Sequence, residues 1–472
     1  MSDMTWLKQK SVAVLGFGVN NRELTAFLLR NGVRVTIRDS KPELKEQFER
    51  QFAPYGELVR WEIVPNIFDK LDEFSVLFRS PVIPTHHPAL QKAVQRGAIL
   101  TSQTQLFLDL CPALVIGVTG TKGKGTTSSL IYEILSKGYT QGKVYLAGNI
   151  GSDPFSFLDA LREDDVVILE LSSFQLEDLH SSPNISVLLR VAQDHLDHHR
   201  SVDEYRAAKA NIFAHQRPND IAVINDEYPE MAAYIPFVRG KLFRAARHIP
   251  RQQAAWAERL EEREIVFLQI GQGIESLDIT ERHLIGEHNL ENILPAALVG
   301  AHFHISPVIM QKAIVEFRGL DHRLSFVGEF QGIRFYDDSI ATTPESAEVA
   351  MAAFPDRRLH MIVGGKDKGQ KHDDLAMVLV QKCVTVSFLP GAATGPLRKA
   401  CEKARKRSDA SCEILPIGQE PVMETILSGI HPHVQAGDVV ILAPAAASDA
   451  PFADYKMRGE QFKVAIAKRY LQ

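Results

Sequence analysis

Short apolar runs punctuate this chain, and most give way to a loop rich in glycine or polar residues and then to a helical repeat. The clearest run, at 114–118, reads as a buried parallel strand. It feeds a loop holding Gly120, Gly123, Lys124 and Gly125. Thr126 then opens a helix whose apolar positions are Leu130, Ile131, Ile134 and Leu135, and Gly138 ends it. Upstream, the pattern predicts a strand at 11–15, a tight turn at Gly16-Phe17-Gly18, a helix over about 21–30, and strands at 33–37 and 75–78. Downstream it predicts strands at 143–146, 166–169, 264–270 and 277–284, and an apolar helix after Asn292. Beyond 319, strands at 333–336, 359–363, 384–388 and 439–442 alternate with helices. This alternation predicts an α/β fold built on parallel sheets, with ligand edges at the strand C-termini. A chain of 472 residues is too long for one ordinary core, and three domains are expected, at 1–106, 107–316 and 317–472.

Composition narrows the class. Hydrophobic content of 45% and charged content of 24% are ordinary for a soluble globular protein. A net charge of -5 argues against a nucleic-acid partner. No apolar run approaches the ~20 residues that span a bilayer, so no membrane insertion is expected. The first residues lack the apolar core of a signal peptide. Cys111, Cys383, Cys401 and Cys412 show no zinc-ligand spacing and read as free thiols of a reducing, cytoplasmic protein.

Strand, glycine loop and helix start together make a phosphate cradle. Glycines let backbone N–H groups point inward, the helix N-terminus adds partial positive charge, and Lys124 reaches outer phosphates. A hydroxyl usually follows the lysine and ligates magnesium. Here Gly125 follows, and Thr126 is the expected substitute. The Gly16–Gly18 turn, with an acid about 20 residues on, suggests a dinucleotide site. Asn21 stands where the third glycine would be, which favours another nucleotide diphosphate over NAD. Glu170 ends a strand beside the phosphate loop, a position that suits a magnesium ligand or a water-positioning acid. The segment 171–176 offers hydroxyl and amide groups to a polar ligand. The cluster Asp194-His-Leu-Asp-His-His199 looks like a metallohydrolase site but lacks further histidines nearby, leaving His195 as a single ligand. Lys209, on a predicted helix, reads from its surroundings as a solvated lysine. Asn289 and Asn292 read as caps at a helix start. In the last third, loops at 337–339, 364–369, 390–391 and 443–448 carry Lys, Ser and Asp side chains and suggest a small anionic substrate.

These residues resemble the Mur ligase family, the ATP-dependent amide ligases of peptidoglycan precursor synthesis. The resemblance covers nearly the whole chain. It rests on Gly148-Asn-Ile-Gly151, Glu170-Leu-Ser-Ser-Phe-Gln-Leu-Glu177, Asp194-His195 with Tyr205-Arg-Ala-Ala-Lys209, His288-Asn-x-x-Asn292, His322-Arg323, Asp338-Ser339, and 444–462 with Arg458-Gly459. It is closest to the D-glutamate-adding branch. It implies a Rossmann-like N-terminal domain for a UDP substrate, a central P-loop-type ATPase domain, and a Rossmann-like C-terminal domain for the amino acid.

The resemblance also implies roles. Gly120, Thr121, Lys122, Gly123, Lys124, Gly125, Thr126 and Thr127 would cradle ATP. Asn289 and Asn292 would lie on its adenine side, and Arg323 and Asp338 would reach it from the third domain. Thr126, Glu170, His195 and a carbamylated Lys209 would hold two magnesium ions, with Lys124, Lys209, His195 and Glu170 as the catalytic set. Gly16, Gly18 and Ser40 would face the UDP group. Asn149, Ser172 and Gln175 would face the muramoyl substrate, and Thr342, Lys368, Ser448 and Tyr455 the incoming amino acid. The substrates would be UDP-N-acetylmuramoyl-L-alanine and glutamate, joined through an acyl phosphate by a monomeric enzyme.

Four departures from the family pattern stand out: Gly125, Ile340 in place of lysine after Asp-Ser, Val82 in a Ser-Pro-Gly turn, and Asn21. Ile340 leaves open L-glutamate or another amino acid, and a folate-glutamylating ligase shares the chemistry. An NAD-dependent oxidoreductase and a catalytically inert binding module are the readings from other classes.

Overall fold

A computed structural model describes residues 4–192, 201–247, 254–355, 357–367, 369–416 and 422–470. The chain forms two compact units. One comprises Met1–Thr280 with Leu290–Ile314, the other Glu281–Asn289 with Val315–Gln472.

The first unit contains two sheets. Five parallel strands run in the order Val59–Ile63, Val35–Asp39, Val12–Leu15, Val76–Arg79, Ile99–Ser102. The order reverses about Val12–Leu15, so the loops after Leu15 and Arg79 flank a switch point, where α/β sheets open to ligands. The helix Val19–Arg30 buries Leu24, Phe27 and Leu28 against this sheet's core. The strand after that helix starts two residues later than the apolar pattern predicts. The Val33 N–H still closes the helix end on the Leu28 carbonyl, so pairing starts at Val35.

The second sheet has nine strands, in the order Gly273–Asp278, Arg263–Ile270, Ala254–Leu260, Lys241–Ala245, Ile221–Asn225, Ile185–Leu188, Leu114–Thr119, Val166–Glu170, Val144–Gly148. Seven are parallel. The last two in sequence, Arg263–Ile270 and Gly273–Asp278, extend it by antiparallel pairing. Val166–Glu170 is buried along its whole length, which is why it reads as a continuous apolar run rather than an alternating one. The predicted strand at 277–284 is displaced. The edge strand is Gly273–Asp278, whose first four residues are exposed, and the apolar signal comes from Leu277, buried near its end, and Ile279, buried just past it.

The second unit carries six strands, in the order Ser325–Phe330, Ile333–Asp337, Val439–Leu442, Leu359–Val363, Cys383–Phe388, Glu413–Ile414. Ser325–Phe330 is antiparallel to its neighbour; the rest are parallel. Alternation along the strands splits the core in two. Leu359, Met361 and Val363 pack with the helices Asp373–Lys382 and Thr394–Ser408. Ile362, Val440 and Leu442 pack with Met423–Ile430 and Tyr455–Tyr470. The four cysteines are free. Among the described residues no helix is long and apolar enough to cross a membrane.

Candidate active site

The glycine loop follows the strand Leu114–Thr119, and the helix Lys124–Gly138 begins two residues before the predicted start at Thr126. Gly123 caps it in the left-handed region (φ 87°). A Cβ there would run into the Asn292 Oδ1, and a Cβ at Gly120 would lie 2.7 Å from Leu189 Cβ. Only glycine lets the loop lie this close to its neighbours. Lys124 Nζ donates to the Gly120 and Thr121 carbonyls, both at 3.1 Å. Thr126 and Thr127 are buried, and Thr127 Oγ1 donates to Asn292 Oδ1 at 3.2 Å. Lys122 is exposed and Gly125 buried.

Lys209 is not the solvated lysine that its helix suggests. It is 2% exposed. Its Nζ donates to the Gly120 carbonyl at 3.0 Å and lies 3.4 Å from Thr119 Oγ1, with the Tyr205 ring 4.9 Å away. The Tyr205 hydroxyl in turn meets Thr121 Oγ1 at 3.0 Å. Lys209 therefore sits under the phosphate loop, held by the helix Val202–Ala214.

Glu170 is buried at the end of its strand, paired with Val118 and Gly148. Gly148 is left-handed (φ 99°), and a Cβ there would strike the Glu170 carbonyl. That close approach lets the next residue, Asn149, donate its N–H to the Glu170 carbonyl at 3.2 Å. Asn149 Nδ2 donates to Gln175 Oε1 at 3.0 Å, and the same oxygen accepts from the Ser172 N–H at 2.9 Å. Ser172 and Gln175 form a capping box on the short helix Ser173–Leu176. The three residues expected to face the muramoyl substrate are thus one hydrogen-bonded group beside Glu170. His195 and Lys368 lie outside the described residues.

In the first sheet, Gly16 turns with φ 78° against Ser80, its ideal Cβ 3.1 Å from the Ser80 Cβ. Asn21, fully buried, donates to the Gly16 carbonyl at 2.7 Å. Asp39 accepts from the Phe17 N–H at 2.7 Å and from the Lys41 N–H at 3.0 Å. The asparagine and the acid therefore hold the turn together from inside, a use that runs against the dinucleotide reading, in which that acid faces a ribose. Gly18 and Ser40 are exposed beside this turn.

Arg79 is a site residue the sequence reading missed. It is wholly buried, donates to Asp178 Oδ2 and the Phe174 carbonyl, both at 2.7 Å, and lies 3.8 Å from Glu177. It also donates to the carbonyls of Pro81 and Ile83. One side chain thus ties the Ser80–Ile83 turn to the segment that carries Ser172 and Gln175. An arginine closing an apolar strand is the only signal the sequence offered.

In the second unit, Asp338 follows the strand Ile333–Asp337, and its Oδ1 accepts from the Leu324 N–H at 3.0 Å. Burial pushes its carboxyl up to about 7, against the opposing pull of that N–H and of Arg323. Arg458 is buried and clamps Ser339, with Nε to the hydroxyl at 2.9 Å and Nη2 to the carbonyl at 2.6 Å; burial lowers its guanidinium to about 10. The Ser448 Oγ is buried with no hydrogen bond among the described residues. Thr342 and Tyr455 are half-buried, and Ile340 lies in the same loop as Asp338. Asn289 belongs to this unit and donates to the Ile285 carbonyl at 2.6 Å, whereas Asn292 belongs to the first.

The arrangement can hold phosphates on backbone N–H groups with a lysine, place oxygen donors beside them, and offer a separate unpartnered hydroxyl to a second small molecule. Residues 118–300 match the model of the Mur ligase middle domain, and residues 322–446 that of the Mur ligase glutamate ligase domain. A UDP-N-acetylmuramoylalanine–D-glutamate ligase of Clostridium tetani is 35% identical over 467 residues, covering 98% of this chain and 97% of that protein. One of Ruminiclostridium cellulolyticum is 33% identical over 476 residues, covering 97% and 96%. The fold is similar to that of MurF ligase from Thermotoga maritima in complex with ADP, with a TM-score of 0.57 at 17% identity over 99% of this chain and 98% of that one. With the glycine loop, the buried lysine and the strand-end glutamate assembled, and with relatives matching from end to end, the chain belongs to the Mur ligase family.

Proposed function

We propose that this chain joins D-glutamate to the alanyl carboxylate of UDP-N-acetylmuramoyl-L-alanine, forming ADP and phosphate, in peptidoglycan precursor synthesis. The observation that carries this is the glycine loop with Lys124 and the buried Lys209 both bonded to its Gly120 carbonyl, in a chain of which named D-glutamate ligases are relatives over nearly full length.

A carboxylate is a poor electrophile, and transfer of the terminal phosphoryl group of ATP to it gives an acyl phosphate with a good leaving group. Lys124 and the loop N–H groups would offset the charge that gathers as one anion meets another. The Asn149–Ser172–Gln175 group would hold the muramoyl substrate against Glu170. Arg323 and Asp338 would contact ATP, and Ser448, Thr342, Tyr455 and Lys368 would hold the amino acid. The buried Ser448 hydroxyl fits that role because a polar ligand would satisfy it.

Buried oxygen donors, the Thr126 hydroxyl and the Glu170 carboxylate, fit a hard cation. With His195 and a carbamylated Lys209 they would hold two magnesium ions, which supply charge neutralisation at the phosphates. The proposed domains are 1–106 for UDP, 107–316 for ATP and 317–472 for the amino acid, in a cytoplasmic monomer.

Ile340 favours one second reading, the same chemistry with a different amino acid. Purified protein given ATP, magnesium and UDP-N-acetylmuramoyl-L-alanine is expected to form ADP and a new amide with D-glutamate. Product with L-glutamate only would replace the substrate, and product with neither would overturn the function.

A further inference from the structure

Arg323 sits between two strained residues. His322 has φ 64° and Leu324 has φ 44°, both in the left-handed region that side chains with a Cβ rarely adopt. Such strain persists only where the surroundings fix it, and it concentrates at functional sites. The Arg323 N–H turns back to the Leu320 carbonyl at 3.1 Å, and the other fixing groups come from one neighbouring loop, 337–340. Asp337, wholly buried, sets its Oδ2 2.7 Å from His322 Nδ1, and its other oxygen accepts from the Ser339 N–H at 2.9 Å. The Ile340 N–H donates to the His322 carbonyl at 3.0 Å, and the Leu324 N–H donates to Asp338 at 3.0 Å. The two strained residues are therefore both bonded to the loop that presents Asp338.

The His322 ring also meets the helix Tyr455–Tyr470. The Tyr455 ring meets it edge-on with centroids 5.9 Å apart, and Glu460 Oε1 lies 3.7 Å from Nε2. Gly459 lies against the pair so closely that a Cβ would strike both His322 Nδ1 and Asp337 Oδ2. The next residue back, Arg458, clamps Ser339.

We infer that His322 and Asp337 are positioning residues. They aim Arg323 and Asp338 and, through Tyr455 and Gly459, couple those two residues to the amino-acid side of the same unit. The inference rests on the proposed function for what Arg323, Asp338 and Tyr455 touch; the bonded frame itself does not depend on it.

The same unit supplies a control. His360 is buried in an equivalent pair, its Nε2 3.0 Å from Asp438 Oδ2 and its Nδ1 2.9 Å from Thr385 Oγ1, but at the N-terminal ends of the strands. The experiment compares Asp337→Asn, His322→Gln and His360→Gln in the full chain, measuring KM for each of three substrates together with thermal midpoints. Asp337→Asn and His322→Gln are expected to raise KM for ATP and for D-glutamate together, each by about tenfold. KM for UDP-N-acetylmuramoyl-L-alanine should stay within about twofold. His360→Gln should lower the thermal midpoint without this pattern. Equal rises in all three KM values, or the same split in His360→Gln, would overturn the inference. If Asp337→Asn does not fold, His322→Gln carries the comparison. Absence of product with wild-type protein would sink the proposed function instead. Affinity for a fluorescent ATP analogue would then be the readout, expected to fall about tenfold in His322→Gln but not in His360→Gln; equal affinity in the two would overturn the positioning role.

Discussion

Lys124 and Lys209 reach for the same oxygen. One comes from the first turn of the helix after the glycine loop, the other from a helix beneath it, and both donate to the Gly120 carbonyl, at 3.1 and 3.0 Å. Two ammonium groups gathered on one carbonyl repel each other. In the proposed reaction that repulsion would fall as Lys124 turns to a phosphate and as Lys209 becomes a carbamate, which would replace its positive charge with a negative one. Lys124→Ala is therefore expected to cut turnover at least about a hundredfold. Lys209→Ala should regain part of its activity when short carboxylic acids are added. Steady-state ADP formation checks both, and a Lys124→Ala enzyme near wild-type rate would remove the loop from the mechanism.

Burial raises the Asp338 carboxyl to about 7, well above its unfolded value of 3.8. The folded protein then holds a proton that the unfolded chain has released. The contribution of this group is fully present below about pH 4 and is lost as pH rises through 7. Asp338→Asn, which cannot ionise, should leave the thermal midpoint unchanged near pH 4 and raise it at pH 8. The difference is on the order of a few kcal/mol. Melting curves at the two pH values test this, and a shift of equal size at both would contradict it. Activity should fall in the same variant.

Arg79→Ala should destabilise the first unit by about 3–5 kcal/mol, because Asp178 would keep its buried charge and lose its guanidinium. Arg79→Lys should recover little, since one ammonium cannot serve Asp178 and the carbonyls of Phe174, Pro81 and Ile83 together. Urea unfolding measures the loss; a midpoint unchanged from wild type would show that the pair contributes nothing net.

Gly123→Ala should disable ATP use, because the new methyl meets Asn292 and the left-handed backbone disfavours any Cβ. Pairing it with Asn292→Ala opens the space but not the backbone, so rescue should be partial. Full rescue would mean that crowding alone mattered.

Much of the architecture was legible because its strands are buried on both faces and so read as plain apolar runs, as at 114–118 and 166–169. Where burial is uneven the signal failed. Ala254–Leu260 reads Ala-Ala-Trp-Ala-Glu-Arg-Leu, a run of good helix formers, yet it is a strand because Arg263–Ile270 pairs with it. At the site, the glycine loop declared itself through spacing. Lys209 did not, since nothing in Tyr205-Arg-Ala-Ala-Lys209 marks its burial; the phosphate loop does that from far along the chain. The His322–Asp337 bond was equally hidden, being a product of the two loops meeting.

The division of the chain carries a practical lesson for anyone cutting it. Glu281–Asn289 belongs to the C-terminal unit, whereas Leu290–Ile314, which follows it, belongs to the first. The second unit therefore cannot be transplanted as the uninterrupted piece of gene after Ile314. A hybrid spliced at 316 would take that short ribbon from the wrong parent. Its His283, whose ring stacks on Phe326 with centroids 5.8 Å apart, would then have to find a foreign partner.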